Sequence, residues 1–486
     1  MIFHLCIGAD IDRENLSRDH FIICLPGEKL PSGCEGIECG TLAEANFGMR
    51  LRFSNPRDTV SKLPFLEVLR GRTEHAGVRD EWERALLWRA NQIIDELGND
   101  PLDAWMGICN MYRLWKALPC AGSSDSLRNR HADEPAVCVG AGPTAEDHLA
   151  EVAENRSYLR VFATDVMVNA CLKHGFEPDY ICSIERIQGT SNVFRSFPVL
   201  EQSVLLCPPM IPSDCAEKVK RAIFWLSGDA YANWLSQYKH RELNPGPSCG
   251  TLSITAAMEC GCGPIYLIGH DLSYLDGKSH SASSHAECQA HAAAYRDPGT
   301  TWWKQEHDAI DCFGQQCKTT GLWQSFQRSI EDEIILRDYR QREILNVRRR
   351  GGLPISGTRV VPFVETHKTK LAPVEVVPWS GRRRIMWRSA VREEFATASQ
   401  KCARVHDDLL AGRISPEKAA ESAMISVLFS RGNIPLANYL LQQIYNSAHF
   451  HSARGAPLWW NIRRTMKSLA CHTAKHVQLT EDWQDD

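Results

Sequence analysis

No C-x-x-C pair occurs among the 19 cysteines of this 486-residue sequence, which removes the usual ligand spacing of a structural zinc site. No apolar run approaches the ~18 residues that a membrane-crossing helix needs. An excess of basic charge is missing too. Fifty-five Lys and Arg stand against 59 Asp and Glu, a net charge of −4, so no nucleic-acid partner is expected. Met1-Ile2-Phe3-His4-Leu5-Cys6 has no basic region, and Asp10 and Asp12 follow, so no signal peptide is expected either. Repeats and low-complexity tracts are absent. What is present is a globular composition, 43% apolar and 23% charged, long enough for about three domains at ~150 residues each. The expectation is a soluble, cytoplasmic protein without a membrane span. Its cysteines run from Cys6 to Cys471, many inside apolar stretches such as Val137-Cys138-Val139. They read as buried thiols acting as small hydrophobes in a reducing compartment.

The pattern of the chain changes twice. Residues 1–121 mix short apolar runs with turns and predict an α+β region ending in two helices. Phe21–Leu25 reads as a strand, and Met49–Phe53, which alternates with period two, reads as another. Trp82, Leu86, Ala90, Ile93 and Leu97 recur at helical spacing before Gly98, and a second helix is expected over 102–118. The polar stretch 122–134 reads as a linker. Beyond it, short apolar runs at 136–139, 159–163, 180–184, 204–207, 222–226 and 265–268 alternate with helical segments. That pattern predicts a mostly parallel, Rossmann-like α/β sheet buried on both faces over 135–365. From Trp387 onward the periodicity is helical, with Ser415-Pro416 starting one helix and Gly432 and Pro435 dividing two more, so 366–486 is expected to be a helical region.

Chemistry concentrates at the ends of the apolar runs. The first runs into Gly140-Ala141-Gly142-Pro143-Thr144, where glycine admits a close backbone approach and a helix start presents N–H groups to an anion. The third glycine of the dinucleotide fingerprint is absent, so a ligand-free tight turn fits equally well. Asp165 ends the second run, where doubly wound folds place a carboxylate against a ribose, although taken in isolation it reads more readily as a helix N-cap. Glu185 follows the third. Ser248-Cys249-Gly250-Thr251-Leu252-Ser253 opens a helix and forms a second candidate anion cradle. After Gly269-His270-Asp271 comes a loop with Tyr274, Asp276, Lys278, His280, His285 and His291, residue types suited to proton transfer. The intervals between its last three histidines give no common helical face, so no metal centre is expected.

Taken in order, these segments resemble the core of the Maf-type (motility accessory factor) glycosyltransferases and their 6-hydroxymethylpterin diphosphokinase (MptE-like) relatives. The resemblance rests on Gly140–Thr144, Phe162–Asp165, Leu172 with Gly175, Pro178-Asp179 with Glu185, the run Gly250–Asp271, and Asp276-Gly277-Lys278-Ser279-His280. It continues through Thr319-Thr320 and Leu345-Asn346 to Gly351-Gly352-Leu353-Pro354-Ile355-Ser356-Gly357, covering about residues 135–365. It implies a Rossmann-like catalytic domain that transfers a nonulosonic sugar from a nucleotide, CMP-linked donor to Ser or Thr of a protein such as flagellin. By the same implication Gly140, Gly142 and Thr144 lie at the phosphate, and Asp165 and Glu185 on the ribose side. Gly250, Thr251 and Ser253 form the second anion contact, Lys278 belongs to the substrate-binding set, His280 is the general base, and Asp271 shapes the loop.

Three positions depart from the family pattern. Glu185 stands for an aspartate, His270 for a glutamine, and Arg348-Arg349-Arg350 for an acidic stretch. The arginines suit a phosphate or an acidic sugar, or a solvated basic turn. Two other functions stay open: diphosphate transfer from ATP, which requires Mg²⁺ on clustered carboxylates, and non-catalytic nucleotide or glycan binding. No cofactor is expected beyond the activated sugar itself.

Overall fold

A computed structural model describes residues 3–53, 66–96, 121–225, 246–285, 306–337 and 342–376, apart from a few single positions, with isolated residues at 106, 107, 110, 243, 404, 407, 408 and 411–413. Most of the helix expected at 102–118, His291 and nearly all of the chain beyond Trp387 lie outside the described residues; of the helical region expected from 366, the described residues 367–376 form no helix. The chain divides into two compact units, Met1–Ala104 with Ile385–Asp486, and Trp105–Arg384.

In the first unit, β1 (Phe3–Ile7), β2 (His20–Cys24), β3 (Gly36–Glu38) and β4 (Leu66–Arg70) form a parallel sheet in the order β3-β2-β1-β4. Helices α1 (Leu42–Arg52) and α2 (Ala76–Glu96) supply the rest of the described unit. The strand expected at Met49–Phe53 is instead the end of α1. A strand would set Met49, Leu51 and Phe53 on one face, but Leu51 is 52% exposed while Met49 and Phe53 are buried. Their i, i+4 spacing, not the alternation, carries the information. A capping box starts this helix: Thr41 Oγ1 accepts the Glu44 N–H, and the Glu44 carboxylate accepts the Thr41 N–H, each at 3.2 Å. Trp82, Leu86, Ala90 and Ile93 of α2 join Phe3, Leu5 and Ile7 in one core, as their helical spacing predicts.

The second unit is built on nine parallel strands. These are β5 (Ala121–Ser123), β6 (Ala136–Val139), β7 (Arg160–Thr164), β8 (Tyr180–Cys182), β9 (Leu200–Cys207), β10 (Val219–Phe224), β11 (Ile265–Ile268), and, after the antiparallel hairpin β12 (Glu306–Ile310) and β13 (Gln316–Thr320), β14 (Ile344–Val347) and β15 (Arg359–Val361). Their order is β15-β14-β11-β6-β7-β8-β9-β10-β5. The stretch read as a linker therefore belongs to this unit: β5 pairs with β10, and a 3-10 turn follows at Ser124–Leu127. Between the strands lie α3 (Leu149–Glu154), α4 (Val168–Lys173), α5 (Gln188–Arg195), α6 (Ser213–Lys218), α7 (Cys249–Glu259) and α8 (Gly321–Leu336).

Continuously apolar strands are buried on both faces here, as expected for a parallel sheet. Ala136 and Cys138 of β6 pack with Leu252, Ile254 and Ala256 of α7 and Ile330 and Ile334 of α8. Val137 and Val139 face the other way, onto Leu149 and Val152 of α3 and Ala170 and Cys171 of α4. Each of the valines, leucines and isoleucines among them, fully removed from water, stabilises the fold by ~1.5–3 kcal/mol. The cysteines behave as small core residues. Fourteen are described, all free, and ten of those are buried; burial pushes the Cys171 thiol up to about 12.

Asp179, part of the Pro-Asp motif, has a structural task. Its carboxylate accepts the Val161 N–H at 2.8 Å and pairs with Arg156 at 3.0 Å, tying the start of β7 to the segment before β8.

Candidate functional site

The chain walks from β6 to β10 in one direction and then returns to place β11 on the other side of β6. Strand order reverses between β6 and β11, and open parallel sheets bind ligands outside the carboxyl ends of their strands at such a point. Gly140, Gly142, Thr144 and Asp271 lie at the exits of these two strands.

The exits of β6 and β11 abut. Gly140 N–H donates to Ile268 O at 2.9 Å and Gly142 N–H to Gly269 O at 2.7 Å. A Cβ on Gly142 would lie 2.3 Å from Asp271 Oδ2, so the second glycine is required by this packing. Thr144 is fully buried at the start of the 3-10 turn Pro143–Asp147. Its N–H donates to Asp271 Oδ2 at 2.8 Å and its hydroxyl to Asp271 Oδ1 at 2.6 Å. The anion at the G-x-G turn is thus the chain's own carboxylate.

Arg348, at the exit of β14, completes that arrangement. It is 1% exposed, pairs with Asp271 Oδ1 at 3.5 Å, and donates to His270 O at 3.1 Å, Gly351 O at 3.2 Å and Asn346 Oδ1 at 2.9 Å. Its neighbours are engaged as well. Arg349 pairs with Glu151, and Arg350 bridges Asp147 and Asp276. Arg348 is thus buried inside its unit, whereas Arg349 and Arg350 are exposed, as in a solvated basic turn, and pair there with carboxylates of the same unit. His270 is buried, with Nδ1 3.0 Å from Ile268 O. Burial above all, with the Arg348 charge adding, lowers its pKa to about 4.

Helix α7 lies across β6, β7 and β8 and brings its first turn to the same edge. Ser248 caps it by accepting the Thr251 N–H at 3.0 Å. The Thr251 hydroxyl lies 3.0 Å from Ser248 Oγ, and the Ser253 hydroxyl donates to Gly250 O at 2.7 Å. Of the expected second anion contact, the two hydroxyls are occupied inside the helix start. Gly250 is half-buried beside the His270 ring. The first N–H groups of a helix precede its internal hydrogen bonds and suit an anion.

Asp165, at the exit of β7, is 6% exposed. Its carboxylate accepts from the Ser183 hydroxyl at 2.6 Å, the Val166 N–H at 2.8 Å and the Cys249 thiol. Burial raises its pKa despite those bonds. It joins the exits of β7 and β8 to the start of α7. Glu185 is exposed three residues beyond β8.

Residues 271–285 form a strap over the edge. Ser281 N–H donates to Ala141 O at 2.8 Å, inside the G-x-G turn, and His285 N–H to Val166 O at 3.0 Å. The Ser281 hydroxyl donates to Glu146 at 3.1 Å. Asp276 and Gly277, at φ 51° and 70°, form a tight turn closed by paired Leu275–Lys278 hydrogen bonds and leave Lys278 exposed. His280 is half-buried; Nδ1 lies 3.1 Å from Ser279 Oγ and its ring meets Trp323 edge-on. The strap thus sets His280 one residue from the contact with the β6 exit.

Residues 110–277 match the family model described as 6-hydroxymethylpterin diphosphokinase MptE-like. This stretch of the chain is similar to that family. This agrees with the resemblance carried by its sequence motifs. The match to the MptE-like family spans β5 through β11 and ends in the Asp276-Gly277 turn, so Arg348 and its neighbours fall beyond it. Among solved structures, the Maf glycosyltransferase from Magnetospirillum magneticum AMB-1 has a TM-score of 0.59 at 14% identity, covering 99% of this chain and 79% of that one. The two share a fold. No curated protein sequence matches the chain.

Four contributions escaped the sequence reading: Ser183, Glu146, the bond of the Cys249 thiol to Asp165 and the inward role of Arg348. Only the last had a visible signal, the Gly351-Gly352 pair that follows it.

Proposed function

We propose that the protein is a glycosyltransferase that moves a nonulosonic, sialic-acid-like sugar from a CMP-linked donor to Ser or Thr of a flagellin-like protein. One observation carries this reading: the exits of β6, β7 and β11, the start of α7 and the strap bearing His280 meet at the switch point of a sheet whose fold is that of a Maf glycosyltransferase. Because Asp271 occupies the donors of the G-x-G turn, the phosphate is assigned to the first turn of α7 at Cys249-Gly250. Thr251 and Ser253 shape that turn. Gly140, Gly142 and Thr144 set the floor beside it, Asp165 holds the floor from β7, Glu185 takes the ribose side, and Lys278 meets an anionic group of the donor.

In the transfer, the acceptor oxygen attacks the anomeric carbon and loses its proton to His280. The bond to phosphate breaks, and CMP leaves with the electron pair. Positioning and stabilisation of the departing phosphate supply most of the catalysis.

The description of the matched family favours a second reading, diphosphate transfer from ATP to a pterin-like alcohol. That chemistry needs Mg²⁺ on carboxylates. Among the described residues no three His, Cys, Asp or Glu side chains converge, and Asp165 and Asp271 are engaged within the chain.

Thermal melting separates the two. CMP is expected to raise the melting temperature and ATP with Mg²⁺ is not; the reverse would establish the kinase reading. His280→Ala is expected to abolish transfer from a CMP-sugar while CMP still binds, and undiminished turnover would remove His280 from the mechanism.

A further inference from the structure

The region where this chain departs from the family pattern also holds a deeply buried charge beside the site. Arg348 leaves β14 and turns back beneath the switch point. Its guanidinium fills the space over Gly352, where a Cβ would lie 1.2 Å from Nη1. From there it reaches the exits of two strands, through Asn346 on β14 and through His270 O and Asp271 after β11. Asp271 extends the connection to β6 through both donors of Thr144. Asp271 is also the first residue of the strap that carries Lys278 and His280. One guanidinium therefore fixes one carboxylate, and that carboxylate fixes both the G-x-G turn and the root of the strap.

We infer that Arg348 is a positioning residue of the site, acting through Asp271 to set the β6 exit turn and the strap against the first turn of α7. It touches no substrate. A carboxylate can accept from Thr144 in only one orientation at a time, and Arg348 selects that orientation from the side opposite the turn. With the guanidinium gone, Asp271 is a buried carboxylate without its counter-charge and turns toward water, carrying residues 272–285 with it. The consequence for nucleotide binding rests on the function proposed above; the consequence for the strap does not.

The test uses the full chain and three variants: Arg348→Lys, Arg348→Met, and the double variant Arg348→Met with Asp271→Asn. The double variant removes both charges and protects against simple failure to fold. Hydrogen exchange across 271–285 is expected to quicken at least tenfold in all three, while α2 in the first unit keeps its wild-type rates. In the double variant the melting temperature is expected to return toward wild type, yet CMP affinity stays at least tenfold weaker. A merely structural pair would behave differently: the double variant would recover strap protection and CMP affinity along with its melting temperature, and that result overturns the inference. Wild-type exchange across 271–285 in Arg348→Lys, whose ammonium cannot reach the same acceptors in a fork, would overturn it as well. Failure of the wild-type protein to bind CMP would count against the proposed function, and the exchange measurements would still decide the role of Arg348.

Discussion

The two units each contain a parallel sheet in which one early strand lies between its successor and a strand that returns from later in the chain. In the first unit β1 sits between β2 and β4; in the second β6 sits between β7 and β11. Both have a switch point, and both close it with glycine. Gly71 N–H donates to Ile7 O at 2.8 Å, and Gly140 N–H to Ile268 O at 2.9 Å. Beyond that they part. In the first unit the two exits continue as an isolated Asp10–Arg72 bridge, with both residues exposed. In the second, a buried network of Thr144, Asp271 and Arg348 lies under the exits, and the start of α7 and a strap stand over them. Topology supplies the crevice; what the exits carry decides whether it is furnished for chemistry.

Acid should separate the units most strongly. Two buried histidines, His131 and His270, both belong to the second, and burial lowers each from 6.5 to about 4. The folded pKa lies below the unfolded one, so their contribution is complete above pH 6.5 and is lost as pH falls toward 4. Between pH 7 and pH 5 each withdraws about 2 kcal/mol, or about 4 kcal/mol together. Proteolysis of the intact chain at pH 5, with cleavage sites mapped, is expected to open the second unit first. Cleavage confined to residues 3–96 would reverse the ranking.

A methyl group added at each switch point gives a smaller contrast. At Gly142 it would enter the Asp271 carboxylate and lie 2.6 Å from Gly269 O. Gly142→Ala is expected to destabilise the second unit by about 3 kcal/mol. At Gly8 the nearest atom is Gly71 Cα at 3.3 Å, and φ of +99° is the main obstacle, so Gly8→Ala is expected to cost the first unit about 1–2 kcal/mol. Hydrogen exchange in each sheet measures both. Equal losses would mean that the two closures are alike, against the comparison drawn here.

Legibility differs between the units for physical reasons. Six strands of the large sheet announce themselves because both faces are apolar, with only Arg160 and Ser183 interrupting the runs. β5 is Ala-Gly-Ser, and β14 has Asn346 at its centre, so neither carries that signal. Hairpin β12–β13 is polar and largely exposed, which removes it as well. The exits that form the site were readable from glycine and from strand ends. Their partners were not: Asp271 meets Thr144 across 127 positions and Arg348 across 77, and no local pattern encodes which carboxylate fills which turn. The same limit explains why Thr144 reads as a phosphate ligand in the sequence and serves an internal carboxylate in the fold.

Helix caps offer the finest contrast, because the same residue does the same job in both units. Thr41 caps α1 and accepts the Glu44 N–H at the surface, where water replaces a lost bond. Thr320 caps α8, fully buried, and accepts the Trp323 N–H at 3.2 Å. Removing a partner from a buried donor leaves its desolvation uncompensated, whereas an exposed donor finds solvent. Thr41→Ala is therefore expected to cost about 1 kcal/mol and Thr320→Ala about 2 kcal/mol. Exchange of the first-turn amides of each helix reads the difference directly. Thr41→Ala leaves the bond from the residue-41 N–H to the Glu44 carboxylate in place, so a larger loss there than at Thr320 would mean that burial does not set what a cap contributes.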